Sequence, residues 1–282
     1  MATTETDPTS ARSGSGSAFR DILCAVDGTS GSTAAVKLAA SLAAPDGRLT
    51  LLAVTAVKGS GAYETADISP TRAEQVLHSA KRIAKQAGVS VLATIDPRGP
   101  AEEIIAEHAA EHELLVLGPP ATSRLVEVIA GRVADATLDR FTTPMLVVRR
   151  PFAATLRGGQ ILVASDGEEG SDRLIELAVR LGASQGAHVT LVNALVNESK
   201  MNPRAIEAQA KALKSALADA GEPQIEPGKP WEVISKAAER IAPVLIVVGS
   251  RGLGGVRSLG SVSRHAVHEA PCAVLVVPPD AR

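Results

Sequence analysis

Aromatic residues are scarce in this 282-residue chain, at 2%: Phe19, Phe141, Phe152, Tyr63 and Trp231. Grooves that stack nucleic-acid bases need aromatic faces, so that class of function is excluded. No block of lysine or arginine stands out and the net charge is only -2, so the electrostatic footprint of nucleic-acid binding is missing as well. Cysteine is limited to Cys24 and Cys272, with neither metal-ligand spacing nor a disulfide framework. Each lies in an apolar run and reads as a small buried hydrophobe, in keeping with a reducing, cytoplasmic compartment. No apolar run approaches the roughly 18 residues of a membrane span, so no membrane partner is expected. Residues 1–18 are rich in Thr, Ser and Gly and lack an apolar stretch. They read as a disordered tail, not a signal peptide.

What the chain has is aliphatic content: hydrophobic residues make up 45% of it. Its length suggests two domains with cores of Ala, Val, Leu and Ile. The order of its segments says the same, because the chain repeats itself. Asp21-Ile-Leu-Cys-Ala-Val-Asp27-Gly28 parallels Gln160-Ile-Leu-Val-Ala-Ser-Asp166-Gly167. Each is followed by a helical pattern, 32–43 and 171–183, and by a second apolar run, 49–54 and 189–194. Long polar helices follow at 71–87 and 203–220, then weaker strands at 89–95 and, vestigially, 224–226. Pro100 and Pro230 each open a helix, a position that suits a residue without an N–H. Strongly apolar strands end at Gly118 and Gly249, and last strands come at 144–148 and 273–277. The offset between copies drifts only from 139 residues at Asp-Gly to 129 at the last strand. Such ordered similarity indicates duplication, with domains at 19–150 and 158–282.

Continuous apolar strands alternating with helices predict a parallel sheet covered on both faces. Five strands and four helices per copy make a doubly wound α/β domain. Its first and fourth strands meet at the switch point, where ligands bind beyond the carboxyl ends. Both the Asp-Gly and the glycine-ended strand therefore converge on one crevice in each copy.

At that crevice in the second copy stands Gly249-Ser-Arg251-Gly252-Leu-Gly-Gly255-Val-Arg-Ser-Leu-Gly260-Ser261-Val262-Ser263. Glycines let backbone N–H groups approach phosphate oxygens, and a following helix N-terminus adds a favourable dipole. Ser261 and Ser263 bring hydroxyls, and Arg251 can add a charge-assisted contact. These residues resemble the universal stress protein family, which carries an Asp after its first strand and a Gly-x2-Gly-x9-Gly-Ser/Thr loop after its fourth. The resemblance covers about 19 to 282, twice. It implies two adenine nucleotide alpha hydrolase-like domains in tandem, each with the flavodoxin-type strand order 3-2-1-4-5. It also implies ATP, with magnesium, held by Asp166, Gly249, Gly252, Gly260, Ser261 and Ser263, with Arg251, Val262 and the base-lining Val248 beside them. Family members often pair through their last strands. A tandem chain makes such a pseudo-dimer internally, leaving further homodimerisation open.

Two departures qualify the site. In copy two the last spacing is seven, Gly252 to Gly260, where the family has nine. Two residues correspond to about 200° of helix rotation, so the loop must reroute. In copy one the spacing is kept but the chemistry is not: Gly118-Pro-Pro-Ala121, then nine residues, then Gly131-Arg132. Pro119 and Pro120 have no N–H to donate. Asp27, Gly118, Gly131 and Arg132 are therefore the weaker candidates.

Plainer readings stand beside these. Asp27 and Asp166 also suit turn or cap positions, and the glycines also suit a flexible loop. Glu102 and Glu232 fall in first helical turns, where the dipole favours acid. His265 and His268 read as surface helix residues. His108 and His112 do not form the zincin His-Glu-x-x-His, so no metal is expected. No Gly-x-Ser-x-Gly elbow and no Gly-Lys-Ser/Thr phosphate loop appear. No catalytic residue is assigned, and any ATP hydrolysis is expected to be slow. Two functions remain: a nucleotide-binding stress-response regulator, and a scaffold of the same family acting through protein partners alone.

Overall fold

The computed structural model describes residues 19–55, 69–98, 101–119, 142–149, 155–168, 171–195, 203–250 and 260–279. The amino-terminal tail, the fourth helix expected in the first copy and most of both glycine-loop regions lie outside these residues.

The first copy runs β1 (Phe19–Ala25), α1 (Ser30–Leu42), β2 (Ala43–Val54), α2 (Pro70–Gln86), β3 (Ser90–Asp96), α3 (Ala101–Ala109), β4 (Leu114–Leu117) and β5 (Met145–Val147). The second runs β6 (Gln160–Ala164), α4 (Asp172–Gln185), β7 (His188–Leu195), α5 (Pro203–Ala216), β8 (Gln224–Pro227), α6 (Pro230–Ile241), β9 (Leu245–Gly249), α7 (Ser261–Glu269) and β10 (Ala273–Val277). Helix starts follow the local chemistry: Thr29 and Ser69 accept from the third N–H beyond them, and Pro70 and Pro230 occupy first positions.

The ten strands among the described residues form one sheet in the order β3-β2-β1-β4-β5-β10-β9-β6-β7-β8. Each half therefore has the 3-2-1-4-5 order. Every pairing is parallel except β5 with β10, where Leu146 faces Leu275 across an antiparallel seam. The central strands are buried on both faces, which explains their unbroken apolar sequence. One face packs against α1, α2, α4 and α5 in a core that runs across the seam; the other packs under α3, α6 and α7.

Two arginines clamp the halves together. Arg149, just after β5, donates to the carbonyls of Val267, His268 and Ala270 at the end of α7. Cations suit that end of a helix, where carbonyls lack partners. Arg180 of α4 lies over the buried Phe19 ring, 4.5 Å from its centroid.

Two elements differ from expectation. β2 begins at Ala43, not Leu49, because α1 runs directly into it; Phe19 pairs Ala43 before the register shifts toward Asp21. The segment at 224–226 is a full edge strand, paired with β7 from Val192↔Gln224 to Leu195↔Pro227.

Both cysteines are buried, and burial is the main reason their thiols resist ionisation. Cys24 is held well above the usual thiol range, and Cys272 is pushed up to about 12.

At the end of β3 the carboxylate of Asp96, 7% exposed, collects an ionic network. Arg98 donates from its backbone N–H and its guanidinium, at 2.7 to 3.1 Å, and His108 Nε2 lies 3.0 Å away. Hydrogen bonds from Arg98 above all hold Asp96 well below the usual carboxylate range. A depressed folded pKa stabilises the protein above the unfolded aspartate value of about 3.9, and the gain fades as pH falls below it. Denaturant unfolding of wild type and Asp96→Asn should show a stability gap at pH 7 that narrows progressively below about pH 4. A gap independent of pH would contradict the network.

Candidate functional site

The sheet order brings β6 and β9 side by side with their carboxyl ends together, Ala164 opposite Val248. Just past β6 the chain turns sharply at Gly167, whose φ is +75°, a conformation that favours glycine. Polar bonds hold the turn in place. Ser165 Oγ accepts from Gly167 N at 3.1 Å and donates to Gln209 Oε1 of α5 at 2.7 Å. Asn193 Nδ2 donates to the Ser165 carbonyl at 2.7 Å. Asp166, exposed at the apex, accepts through Oδ1 from Glu168 N at 3.0 Å and Ser171 Oγ at 2.8 Å. Its Oδ2 has no hydrogen-bond partner among the described residues. The aspartate thus forms a turn and still presents one carboxylate oxygen.

Opposite it, β9 ends at Gly249. Among the described residues a Cβ there would meet only Leu174 Cδ1, at 4.0 Å. The intervening loop contains Arg251 and Gly252 and lies outside the described residues, but its two ends are described and they touch. Gly260 N donates to Ser250 O at 2.8 Å, and Ser250 N donates to Val277 O of the neighbouring β10 at 2.9 Å. The shortened loop therefore leaves and returns through a closed neck.

Gly260 caps α7 in extended conformation without any side-chain cap bond. Among the described residues the first N–H groups of α7 thus have no side-chain cap, an arrangement suited to an anion. Ser261 is exposed at the head of the helix and Val262 is half-buried. Ser263 is 1% exposed and its hydroxyl donates to the Gly249 carbonyl, so it stitches the loop base. Val248 is also 1% exposed, in the core under α6 and α7. The role of Gln209 and Asn193 behind the turn carried no sequence signal, since a lone amide in a helix or strand follows no motif.

In the first copy the matching rim is packed more closely among the described residues. Asp27 Oδ1 accepts from Thr29 N at 2.9 Å and Thr29 Oγ1 at 2.7 Å, and Thr29 in turn caps α1 through Ser32 N. Across from it the Pro119 ring presses on α1: a Cβ on Gly31 would stand 2.2 Å from Pro119 Cδ. A Cβ on Gly118 would stand 3.2 Å from Gly31 C and Ser32 N. Gly131 and Arg132 lie outside the described residues.

Elsewhere, His108 and His112 are engaged by Asp96 and Asp21, at 3.0 and 3.6 Å. Trp231 joins α6 to α7, donating to Glu269 at 3.0 Å and stacking on His265 with centroids 6.1 Å apart. Among the described residues no group of three or more His, Cys, Asp or Glu side chains is arranged to hold a metal. Glu232 lies in the first turn of α6, paired with Lys229 at 3.3 Å.

The contrast between the crevices predicts opposite responses to one methyl group. Gly31→Ala should destabilise the protein by about 1–3 kcal/mol through overpacking against Pro119, whereas Gly249→Ala should stay within about 0.5 kcal/mol. Chemical denaturation of both variants checks this; equal losses would contradict it.

The family model described as "Universal stress protein family" matches residues 18–149 and again 159–278. A Thermus aquaticus universal stress protein is 36% identical over 132 residues, 42% of this chain and 96% of that one. A Staphylococcus aureus relative of the same family name is 31% identical over 136 residues, 42% of this chain and 82% of that one. Among solved structures, a universal stress protein from Archaeoglobus fulgidus superposes with a TM-score of 0.73, covering 93% of this chain and 97% of that one at 20% identity, a likeness of fold. The chain belongs to the universal stress protein family, with two such domains in tandem.

Proposed function

We propose that the chain is a cytoplasmic stress-response regulator that binds ATP, or a related adenine nucleotide, with magnesium, in its second domain. The observation that carries the reading is the closed neck at Ser250 and Gly260. It returns a glycine-rich loop, at the carboxyl end of β9, to a helix whose first N–H groups have no side-chain cap among the described residues. The phosphates would sit on Gly252, Gly260, Ser261 and the first turn of α7, with Arg251 as counter-charge. Asp166 would receive the nucleotide through its second carboxylate oxygen. Gly249, where a side chain would meet nothing closer than 4.0 Å among the described residues, fits a group approaching the backbone. Ser263 supports the loop instead of touching ligand. The magnesium would be shared between phosphates and water, as that ion prefers. Two buried, unpaired cysteines support the cytoplasmic assignment, and no described helix is long and apolar enough to cross a membrane.

A scaffold role has one observation in its favour: the first-domain rim is packed by Pro119 against Gly31. That supports an occupancy of one nucleotide per chain rather than two. Isothermal titration with ATP and magnesium should therefore give one site per chain, abolished by Gly252→Glu and weakened about tenfold or more by Asp166→Ala, the loss expected for a hydrogen bond to a charged group. No heat at millimolar ATP from a folded protein would leave the scaffold reading.

A further inference from the structure

The turn that carries Asp166 rests on three buried polar side chains from separate parts of the second domain. Ser165, just past β6, is 7% exposed, Asn193 of β7 is 4% exposed and Gln209 of α5 is 5% exposed. Asn193 Nδ2 donates to the Ser165 carbonyl, while the Ser165 hydroxyl accepts from Gly167 N and donates to Gln209 Oε1. The Ser165 carbonyl belongs to the peptide before Asp166, and the Gly167 N–H belongs to the peptide after it. The trio therefore fixes both peptide planes that flank the aspartate, and with them the direction in which its side chain leaves the backbone. This support has a cost. Asn193 Oδ1 is buried without a hydrogen-bond partner among the described residues. A lone buried acceptor makes the arrangement a poor device for stability alone.

The first domain builds the same turn without them. Val26 N donates to the Leu52 carbonyl as Ser165 N does to that of Val192, so Val26 stands where Ser165 does and Ala53 where Asn193 does. Val76 holds the place in α2, counted from the proline that opens the helix, that Gln209 holds in α5. It lies at the turn as well: a Cβ on Gly28 would stand 2.6 Å from a Val76 methyl. All three counterparts are buried and apolar. The Gly28 N–H is bound instead by Ser32 Oγ of α1, at 3.1 Å. One duplicated fold thus supports its first turn from the helix that follows and its second turn from the strand and helix behind it.

We propose that Ser165, Asn193 and Gln209 are positioning residues for the nucleotide site, an inference that rests on the nucleotide reading of the second domain. They hold Asp166 so that its second carboxylate oxygen faces the ligand, and they act through Asp166 without touching the ligand themselves. Preorganisation is the physical reason. A carboxylate whose flanking peptides are already fixed loses little conformational freedom when it receives a hydrogen bond. More of the strength of that bond then appears as affinity. The polar trio belongs to the domain with the glycine-rich loop, and its apolar counterparts belong to the domain whose rim is packed by Pro119.

The test compares four forms of the full chain by isothermal titration with ATP and magnesium. They are wild type, Asp166→Ala, a triple variant carrying the first-domain residues (Ser165→Val, Asn193→Ala and Gln209→Val), and the triple variant with Asp166→Ala added. The triple variant should bind ATP about tenfold or more weakly than wild type, matching the loss in Asp166→Ala. Because the trio acts through Asp166, adding Asp166→Ala to it should change affinity by less than about threefold. A merely structural role would give losses that multiply. Multiplying losses, or wild-type affinity in the triple variant, would overturn the inference. If the triple variant does not fold, Asn193→Ala alone decides: it leaves the bond between Ser165 and Gln209 in place and should weaken binding about threefold or more. Unchanged affinity there would overturn the inference equally. No ATP binding by wild type would end the nucleotide reading and this inference with it, whereas wild-type binding that these variants leave intact would end this inference alone.

Discussion

The candidate site depends on the parallel pairing of β6 with β9. Parallel strands point the same way, so their carboxyl ends share one rim of the sheet. That single constraint sets the Asp166 turn beside Gly249, although the two are far apart in sequence. The same pairing of β1 with β4 sets Asp27 beside Gly118. Local chemistry then finishes each rim: glycine turns where the backbone must bend, hydroxyls and amides that satisfy the freed polar groups, and a helix start on the far side. The antiparallel seam of β5 and β10 leaves both rims intact while covering what would otherwise be two open strand edges.

From a common plan the two rims have reached different ends. In the first domain proline replaces the residue after the glycine, and its ring packs against α1 at Gly31. In the second, Ser250 stands there, and its backbone bonds to β10 on one side and to Gly260 on the other. Backbone groups close the neck at the base of the loop. Ser263 contributes to the same closure, which explains a buried hydroxyl at a position the family resemblance assigns to ligand.

Much of this was legible in the sequence. Central strands such as 114–117 and 273–277 are unbroken apolar runs because helices cover both faces, and their positions followed from that pattern. Pro230 opening α6 followed from helix-end chemistry. Short edge elements were harder: β8 is half-exposed, follows Pro223 and ends in Pro227, so it carries neither a continuous nor a long alternating pattern. The start of β2 was hidden because α1 runs into it without a turn residue. Least legible were the contacts made only by folding: Arg149 on the end of α7, Arg180 over Phe19, Gln209 and Asn193 behind Asp166, and Arg98 with His108 on Asp96. Each joins residues with no shared motif. Of the site residues expected from the sequence, Asp166, Gly249, Gly260 and Ser261 lie together at one rim of the sheet. The sequence could not show that Val248 faces the core or that the Ser263 hydroxyl is committed to Gly249.

The central claim is that a nucleotide occupies one rim of this sheet and not the other. Photo-crosslinking with 8-azido-ATP, followed by peptide mapping of the full chain, tests it most directly. Label should be confined to peptides from residues 158–282 and be competed away by unlabelled ATP. Competable label on peptides from residues 19–150, around Asp27 or Gly118, would contradict the claim.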